Sequence, residues 1–356
     1  MRFVWFLYYL CTEMRKILLF VCSTLVVVSA CRNANKSNEV RHHQFKTDVM
    51  LKATPVKNQG SSSLCWAYAM LGTIESERLM MGDSVNLSVD YLARMLLKEQ
   101  AREAFFAGGR KQVSLRGTAS MALRLLERYG MLHEDTYNGK QVNYNVLARK
   151  VQLAASRSAS LQKMDGLVDK MLDAEVGLMP RFVFFRHAEY TPKQFAHSVC
   201  LPYEYLSLTS FTHHPYGHSF ALEIPDNRYR DAFMNIPLDT LMAHVKGALQ
   251  MGHPVCWEGD ISEPGFSFAQ GVAKLPKEAV SVTAAVRQRQ FETRKTTDDH
   301  CMILVGLAHD KRGNTYYIAK NSWGKNNPFG GYMYLSDNYL RLKTVAVYMS
   351  QAAYGV

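Results

Sequence analysis

Residues 54–66 read TPVKNQGSSSLCW, a polar, turn-rich loop that leads directly into a helical pattern. Between positions 66 and 79 apolar side chains recur near one helical face, whereas Glu75 and Glu77 fall on the other side. The loop residues do not share this periodicity, so the change of pattern marks a boundary. The sequence therefore predicts an amphipathic helix that begins at Cys65.

A cysteine at the first position of a helix has special chemistry. Unpaired backbone N–H groups and the positive end of the helix dipole favour thiolate over thiol, so Cys65 can act as a nucleophile near neutral pH. Gln59 lies six residues earlier on the same loop, and its side-chain amide can point back at the sulfur. Together with the Cys65 backbone N–H, it would donate to a developing oxyanion. A structural cysteine is the alternative for Cys65 taken alone.

A second group of polar residues lies near the C-terminal end of the chain. His300 precedes a short apolar run, residues 301–306, which predicts a buried strand. A turn and another strand follow, and they lead to Asn321. Antiparallel pairing would bring His300 and Asn321 side by side, with one imidazole nitrogen held by the amide oxygen and the other facing Cys65. Trp323 would cover this hydrogen bond. A core histidine and a turn asparagine are the alternatives for each residue alone.

The combination of Gln59, Cys65, His300 and Asn321, in this chain order, resembles the papain superfamily of cysteine peptidases. The resemblance implies that these residues are the family's glutamine, nucleophile, histidine and asparagine. It also implies an α+β fold with a helical lobe, a β-rich barrel-like lobe and a cleft between them. We expect hydrolysis of peptides through a thioester acyl-enzyme, with no cofactor and no metal. A papain-like envelope protein that binds peptides or partners without turnover is the alternative.

The closer resemblance is to the bleomycin hydrolase and aminopeptidase C branch, in pieces from about residue 50 to 349. In that branch the chain terminus enters the cleft and restricts cleavage to the N-terminus of the substrate. The tail after Ser350 is short and unlike that terminus, so aminopeptidase and endopeptidase activity both stay open. The motifs that carry the resemblance are Ser61-Ser62, YTPKQF at 190–195, Pro237-Leu238-Asp239, GHPV at 252–255, Asp260-Ile261-Ser262, TTDDH at 296–300 and Leu342-Lys343-Thr344.

The stretch Leu115-Arg116-Gly117 is similar to the superfamily segment whose glycine backbone pairs with the substrate as a short strand. Gly117 matches the second glycine of that motif, and Arg116 stands where the family usually has another glycine. The resemblance implies that Gly117 and Trp323 contact the substrate. An ordinary glycine at the start of a helix is the alternative for Gly117.

The spacing between Cys65 and His300 exceeds what a minimal fold of this family needs. The surplus is expected at about residues 143–235, and its first part, 146–176, is rich in Ala, Leu, Lys and Met and predicts helices. We therefore predict a peptidase domain over residues 46–356 with a largely helical insertion.

The N-terminal region has the pattern of an export signal. A charged start at Met14-Arg15-Lys16, an apolar stretch and Ser29-Ala30-Cys31 predict a signal peptide over residues 1–30, with 1–13 interpreted as an unused upstream start. The ending VSAC resembles a bacterial lipobox, which implies acylation of Cys31 and a lipid-anchored linker over 31–45. The domain is then expected in the bacterial cell envelope, periplasmic or at the surface. An uncleaved transmembrane anchor is the alternative.

The composition and charge pattern limit the classes of binding partner that we expect. The formal charge of +11 is scattered along the chain, and no basic-aromatic motif of nucleic-acid-binding proteins occurs. We expect peptide substrates and a membrane as partners and no nucleic acid; the oligomeric state is open. The basic stretch 287–295 is predicted to be a solvated face. The histidine-rich stretch 213–218 is predicted to be a loop with ordinary polar contacts rather than a metal site.

The cysteines do not form a disulfide framework. Beyond the predicted signal peptide and Cys31, the chain has Cys65, Cys200, Cys256 and Cys301. The last three are predicted to be buried free thiols, with a bridge between Cys200 and Cys256 as the alternative.

Overall fold

The helix that carries Cys65 lies at the centre of the fold. In the computed structural model, which describes residues 44–139, 142–276 and 281–355, helix α1 is Cys65–Met80, so it begins where the sequence predicts. Glu75 and Glu77 are only 1% and 6% exposed, against the amphipathic pattern. The helix is covered on the sheet side and on the helical side, so these carboxylates need internal partners. Glu75 accepts hydrogen bonds from Thr54 Oγ1 at 2.5 Å and Leu87 N at 2.7 Å.

The other helices of the described chain flank α1 and the sheet. Helices α2–α5 form the helical lobe, and α4 and α5 lie within the region predicted as an insertion. The bounds are α2 Val89–Phe106, α3 Ala119–Tyr129, α4 Tyr144–Arg157, α5 Leu161–Glu175, α6 Pro192–Val199, α7 Leu238–Met251, α8 Ala284–Glu292, α9 Asp337–Lys343 and α10 Gln351–Tyr354, with a short 3₁₀ helix at Pro202–Glu204.

A large mixed sheet forms the β-rich lobe. Its strand order is β5-β6-β4-β13-β7-β10-β11-β12-β9-β8, and β1 also pairs with β10. A separate hairpin joins β2 and β3. The bounds are β1 Phe45–Met50, β2 Val183–Phe185, β3 Ala188–Tyr190, β4 Tyr205–Thr209, β5 Ser219–Ala221, β6 Ala232–Asn235, β7 Val255–Gly259, β8 Phe266–Ser267, β9 Val272–Ala273, β10 His300–Asp310, β11 Thr315–Lys320, β12 Tyr332–Ser336 and β13 Thr344–Ser350.

The hairpin of β10 and β11 matches the predicted arrangement. The two strands are antiparallel, with Ile303 opposite Lys320, and on the other side of β10 His300 lies opposite Gly259. A bulge interrupts the register before Gly306. A Cβ atom on Gly306 would lie 2.3 Å from the carbonyl oxygen of Val49, so only glycine lets β1 approach here. The pairing places His300 at the edge of the sheet that faces α1.

The predicted fold class is confirmed, because helices and a large sheet segregate into the two lobes. The helical character of residues 143–235 is limited to α4–α6, which end at Val199. The rest of this region contains the hairpin of β2 and β3, the short 3₁₀ helix, and the strands β4, β5 and β6, which extend the sheet beyond β13. Strand β4 pairs its own residues with β13 and β6, so its backbone groups are satisfied by tertiary pairing that the local pattern did not reveal.

The predicted solvated face at 287–295 is wrong at its first residue. Arg287 is 1% exposed and its guanidinium lies over the ring of Phe211, 4.6 Å from the centroid. It donates to the carbonyl oxygens of Ser210 at 2.8 Å and Arg341 at 3.0 Å. Burial lowers the pKa of Arg287 to about 9. Backbone carbonyls and an aromatic ring therefore replace water around this cation.

The cysteine prediction is confirmed within the described residues. Cys200, Cys256 and Cys301 are buried and free, so the alternative bridge is absent there. The predicted signal peptide, Cys31 and nearly all of the linker 31–45 lie outside the described residues. In the part of the chain that the structure describes, no helix combines the length and the hydropathy that a bilayer crossing requires.

Candidate active site

The predicted nucleophile faces a cavity between the two lobes. Cys65 is half-buried and lines a cavity of about 150 Å³ together with Gln59, Gly117, His300 and Trp323. Gln59 lies on a loop, Cys65 begins α1 and Gly117 lies in an extended segment. His300 begins β10, and Trp323 follows the end of β11. The structure thus brings together the side chains that the sequence selected from four distant regions.

His300 is hydrogen-bonded to Asn321 beside this cavity. The Nε2 atom of His300 lies 2.8 Å from the Oδ1 atom of Asn321, and the two residues are 3% and 2% exposed. Because Oδ1 only accepts, Nε2 carries the proton and Nδ1 is the nitrogen left for other partners. The Trp323 ring lies 4.6 Å from the imidazole, centroid to centroid. The indole therefore shields the His300–Asn321 hydrogen bond from water.

Gln59 is held in one orientation by the strand end opposite it. Its Oε1 atom accepts from Ser322 Oγ at 2.7 Å, and its Nε2 atom donates to the Ser62 carbonyl at 2.6 Å. The Gln59 backbone N–H also donates to the Ser322 carbonyl at 2.8 Å. One amide hydrogen on Nε2 stays available for a ligand in the cavity. Ser322, for which the sequence alone indicates no role, thus positions Gln59.

The surroundings of Cys65 favour its thiolate. A hydrogen bond from the Cys301 thiol is the largest influence that lowers the pKa of Cys65. Burial opposes this effect, and the hydrogen bond and positive charge of His300 lower the pKa further, so that it falls well below its ordinary value. Burial raises the pKa of Cys301 well above its ordinary value, so Cys301 keeps its proton and acts as the donor. The sequence predicts a buried thiol at Cys301 and indicates no role for it at the site.

Gly117 lies in an extended segment that is fastened to the start of α1. Trp66 Nε1 donates to the Leu115 carbonyl at 2.8 Å, and Gly117 itself is buried. A Cβ atom on Gly117 would lie 1.9 Å from the Cε atom of Met121. The backbone of Gly117 therefore borders the cavity at a place where even a methyl group requires Met121 to move.

Arg116 connects the cleft to the insertion. Its Nε atom donates to both carboxylate oxygens of Asp226, at 2.8 and 3.0 Å, and Nη2 donates to the Asp298 carbonyl at 3.2 Å. Asp226 lies between β5 and β6, within the predicted insertion, and lines the same cavity as Cys65. The sequence analysis did not predict Asp226 as a site residue. The arginine at position 116, where the resembled family usually has glycine, was the available signal for such a partner. Unlike glycine, Arg116 has a charged side chain that can pair with a carboxylate.

The histidine-rich stretch forms a separate cluster. His213 and His214 direct their Nε2 atoms at the Glu223 carboxylate, at 3.2 and 2.7 Å, and Gln288 Nε2 lies 2.9 Å from His213 Nδ1. Among the described residues, His213, His214 and Glu223 form a group whose ligand atoms are close enough to share a metal ion. The expectation of ordinary polar contacts describes the hydrogen bonds that are present, and the expected absence of a metal stays a prediction.

The last described residues lie away from the cleft. Thr344, at the start of β13, pairs with Gly259, which in turn pairs with His300. Strand β13 therefore begins at the cleft edge of the sheet and runs away from it to Ser350. Helix α10 follows directly, and His244 stacks on Tyr354 with 4.4 Å between ring centroids. Residues 351–355 thus lie at the opposite end of the sheet from His300.

Part of the chain matches a known protein family, and its fold is similar to that of solved proteins. Residues 184–352, which include His300 and Asn321, match the model of the Peptidase C1-like family. The structure is similar to that of PepW from Lactobacillus rhamnosis, with 18% identity, a TM-score of 0.68, and coverage of 89% of this chain and 84% of PepW.

Lower structural similarity extends to two further groups of solved proteins. The mite allergen structure of Blo t 1 and Der p 1 has 19% identity, a TM-score of 0.44, and coverage of 84% of this chain and 68% of the allergen chain. Bromelain from Ananas comosus has 14% identity, a TM-score of 0.40, and coverage of 84% and 94%. No curated protein was found to match the chain.

Proposed function

We propose that this chain is a papain-like cysteine peptidase that hydrolyses peptide bonds with Cys65 as the nucleophile, because residues 184–352 match the Peptidase C1-like family and the fold is similar to that of PepW. The observation that carries the proposal is the His300 ring, which Asn321 holds at 2.8 Å in the cavity that Cys65 lines at the start of α1. A nucleophile, a base and a residue that orients the base are the parts that acyl transfer requires. Peptides are therefore the proposed substrates.

In the acylation step, the Cys65 thiolate attacks the carbonyl carbon of the scissile bond and forms a tetrahedral oxyanion. The backbone N–H of Cys65 and the free Nε2 hydrogen of Gln59 donate to this oxygen. The imidazolium of His300 gives its proton to the leaving nitrogen, the C–N bond breaks, and an amine departs. The product of this step is a thioester between Cys65 and the acyl half of the peptide.

In the deacylation step, neutral His300 takes a proton from water, and the resulting hydroxide attacks the thioester carbon. The C–S bond breaks, the Cys65 thiolate returns and the peptide leaves as a carboxylic acid. The imidazolium and the thiolate are restored together. Asn321 accepts from His300 Nε2 throughout, so Nδ1 stays directed to the reacting atoms.

Two linked measurements test the activity. A thiol-directed epoxide or chloromethyl ketone should label Cys65 at neutral pH, as peptide mapping by mass spectrometry would show. A peptide-library digest should give cleavage products with the wild type and none with Cys65→Ala. A folded wild-type protein that is neither labelled at Cys65 nor able to cleave any library member would instead support a scaffold that binds peptides without turnover.

The end preference of the peptidase is tested with the same library. We propose aminopeptidase activity as the finer function, on the resemblance to the bleomycin hydrolase and aminopeptidase C branch. Peptides with a free α-amine should then be cleaved and their N-acetylated forms spared. Equal turnover of both forms would refute this specificity and identify an endopeptidase. Because residues 351–355 lie away from His300, we look to other residues for recognition of the amine.

We also propose that Cys31 is acylated and that the domain lies in the bacterial cell envelope. The support is the lipobox-like ending of the N-terminal apolar stretch. Growth with an alkyne fatty acid should label the wild type, and Cys31→Ser should abolish the label and release the protein from the membrane fraction. A label that persists in Cys31→Ser would contradict the proposed site.

A further inference from the structure

Two buried carboxyl groups lie next to the cavity that contains Cys65. Asp298 lines the cavity and is 8% exposed, and Glu258, on β7, is 0% exposed. The two side chains are close enough to hydrogen-bond each other. Within the described residues, no N–H or O–H donor reaches Asp298 Oδ2 or Glu258 Oε1. Two adjacent carboxylates cannot both be ionised at low cost, so the pair requires a positive charge or a proton.

The neighbouring cation is already committed to other acceptors. The Arg116 guanidinium donates to the Asp226 carboxylate and to the backbone carbonyl of Asp298, not to the Asp298 carboxylate. Glu258 Oε2 accepts from Tyr348 Oη at 2.6 Å and from Ala119 N at 3.2 Å, which are neutral donors. The hydrogen-bond donors to Glu258 are therefore neutral, and Arg116, the nearest cation of the cavity, does not donate to the Asp298 carboxylate.

We propose that Asp298, backed by Glu258, forms a subsite for a cationic group of the peptide beside Cys65. This inference rests on the proposed peptidase function and names its substrate class. The ligand chemistry is an alkylammonium or guanidinium group, supplied either by the free α-amine of the peptide or by a lysine or arginine side chain. A carboxylate on the cavity wall and a second one behind it would pair with such a group once water is displaced.

The backbone around the subsite supports a bound peptide. Gly117 lines the same cavity as Asp298 and presents no side chain there, so a peptide that pairs with this backbone segment would have a side chain or terminus within reach of Asp298. Asp226, which is 13% exposed, and Asp299 are further carboxylates that line the cavity, and Asp226 pairs with Arg116. A cationic substrate group therefore enters a cavity whose charged wall is dominated by acids.

Proton binding should compete with cation binding at this subsite. Burial raises the pKa of Glu258 to about 7, and burial followed by the charge of Glu258 raises the pKa of Asp298 well above its ordinary value. A bound cation stabilises the ionised pair, so preference for cationic substrates should increase as the pH rises through about 7. The titratable and charged groups around the pair are Tyr348, Cys65, Cys256, Cys301, Asp226, Asp299, His300 and Arg116.

The test compares matched substrates in two arms. In the first arm, N-acetylated peptides carry lysine or the uncharged norleucine at each position before the scissile bond. In the second arm, peptides with neutral side chains have a free or an acetylated α-amine. We expect kcat/KM to favour the cationic member about tenfold in one arm, which is the effect of one such pair. The favoured arm identifies the source of the cation, and ratios near one in both arms would overturn the proposal.

Three variants assign the effect to the carboxylate. Asp298→Asn keeps the shape and removes the charge, and it should bring the ratio close to one. Asp165→Asn is the matched control, because Asp165 pairs with Arg102 on the helical surface, and it should keep the wild-type ratio. If Asp298→Asn does not fold, Asp226→Asn should still lower the ratio. An unchanged ratio in the folded variant of Asp298, or otherwise of Asp226, would contradict the assignment.

A binding measurement separates this proposal from the peptidase proposal. Titration calorimetry of the same peptide pairs with Cys65→Ala reports the subsite without turnover. If no peptide is cleaved but the cationic member binds about tenfold more tightly, the peptidase proposal fails and the subsite stands. If peptides are cleaved while both members bind and turn over equally, the subsite fails and the peptidase proposal stands.

Discussion

The ammonium group of Lys343 lies 3.2 Å from the Asp260 carboxylate, and both side chains are 0% exposed. The same carboxylate accepts from the Thr297 backbone N–H at 3.2 Å. Thr297 directly precedes the segment that carries Asp298 and leads into His300. This buried ion pair therefore fixes the chain just before two residues of the cleft.

Removal of one partner of this pair should be costly. We expect Lys343→Met to lower the free energy of unfolding by about 3–5 kcal/mol, because the Asp260 carboxylate loses a buried cation. Lys98→Met is the matched control: Lys98 pairs with Asp169 on a partly exposed surface, and its loss should cost below about 1 kcal/mol. Urea unfolding measures both values, and equal effects of the two substitutions would contradict the importance of the buried pair.

The asparagine that holds His300 should influence turnover more than stability. Asn321→Ala frees Nε2 and lets the ring turn, so we expect kcat to fall about 100-fold for a cleavable peptide. Asn314→Ala, in the turn between β10 and β11, should keep the wild-type kcat. The readout is steady-state kinetics together with a melting curve. Full activity of a folded Asn321→Ala protein would show that His300 needs no orienting partner.

The close approach at Gly117 should be visible in a double-variant experiment. Gly117→Ala places a methyl group against Met121, so we expect a loss of about 1–3 kcal/mol in unfolding free energy. In a double-mutant cycle, Gly117→Ala should therefore cost less unfolding free energy in the Met121→Ala background than in the wild type, as urea unfolding would show. Gly166→Ala, within α5, is the control, because no atom lies within 4 Å of the added Cβ. This substitution should raise the free energy of unfolding by about 0.5–1 kcal/mol, since alanine favours the helix more than glycine does.

The contact between two sulfur atoms predicts a change in reactivity with pH. The Cys301 thiol donates to the Cys65 thiolate, so Cys301→Ala should raise the pKa of Cys65 and shift the midpoint of its alkylation to higher pH. Cys200→Ala, remote from the cavity, should leave the midpoint unchanged. Iodoacetamide rates measured across pH, with mapping of the modified cysteine, give both midpoints. If the midpoint does not shift in Cys301→Ala, His300 and the N-terminal end of α1 alone account for the low pKa of Cys65.

The buried Glu258 predicts a pH dependence of stability. Its pKa is raised to about 7 by burial, so the folded state holds its proton more tightly than the unfolded state. The stabilisation that Glu258 gains from its proton is therefore fully present below the pKa that it has in the unfolded chain. This stabilisation is lost as the pH rises through about 7. Glu258→Gln should flatten this part of the curve of melting temperature against pH. A parallel decline in wild type and variant would assign the dependence to other groups.

The parts of the fold with strong local signals could be predicted from the sequence. The start of α1 at Cys65 and the hairpin of β10 and β11 follow from a change of periodicity and from an apolar run that ends in a turn. These signals depend on neighbouring residues, which the sequence contains. The grouping of Cys65, His300 and Asn321 then followed from strand pairing and chain order.

Features that depend on tertiary contacts could not be predicted in the same way. Arg287 looks like a surface residue by composition, yet Phe211 and two carbonyl oxygens replace its water. Asp226 lies more than a hundred residues from Arg116 along the chain, and no local pattern pairs them. The strands β4–β6 form because β13 offers an edge, which exists only after the sheet has assembled.

The salt bridge between Arg116 and Asp226 fastens the insertion to the rim of the cleft. A guanidinium from an incoming peptide that reaches Asp226 must compete with the guanidinium already there. Binding of such a ligand at Asp226 and displacement of the Arg116 guanidinium from that carboxylate are then one exchange. Because Arg116 is 57% exposed, dissolved ions weaken this fastening, and concentrated sodium chloride would loosen the rim in the absence of any peptide.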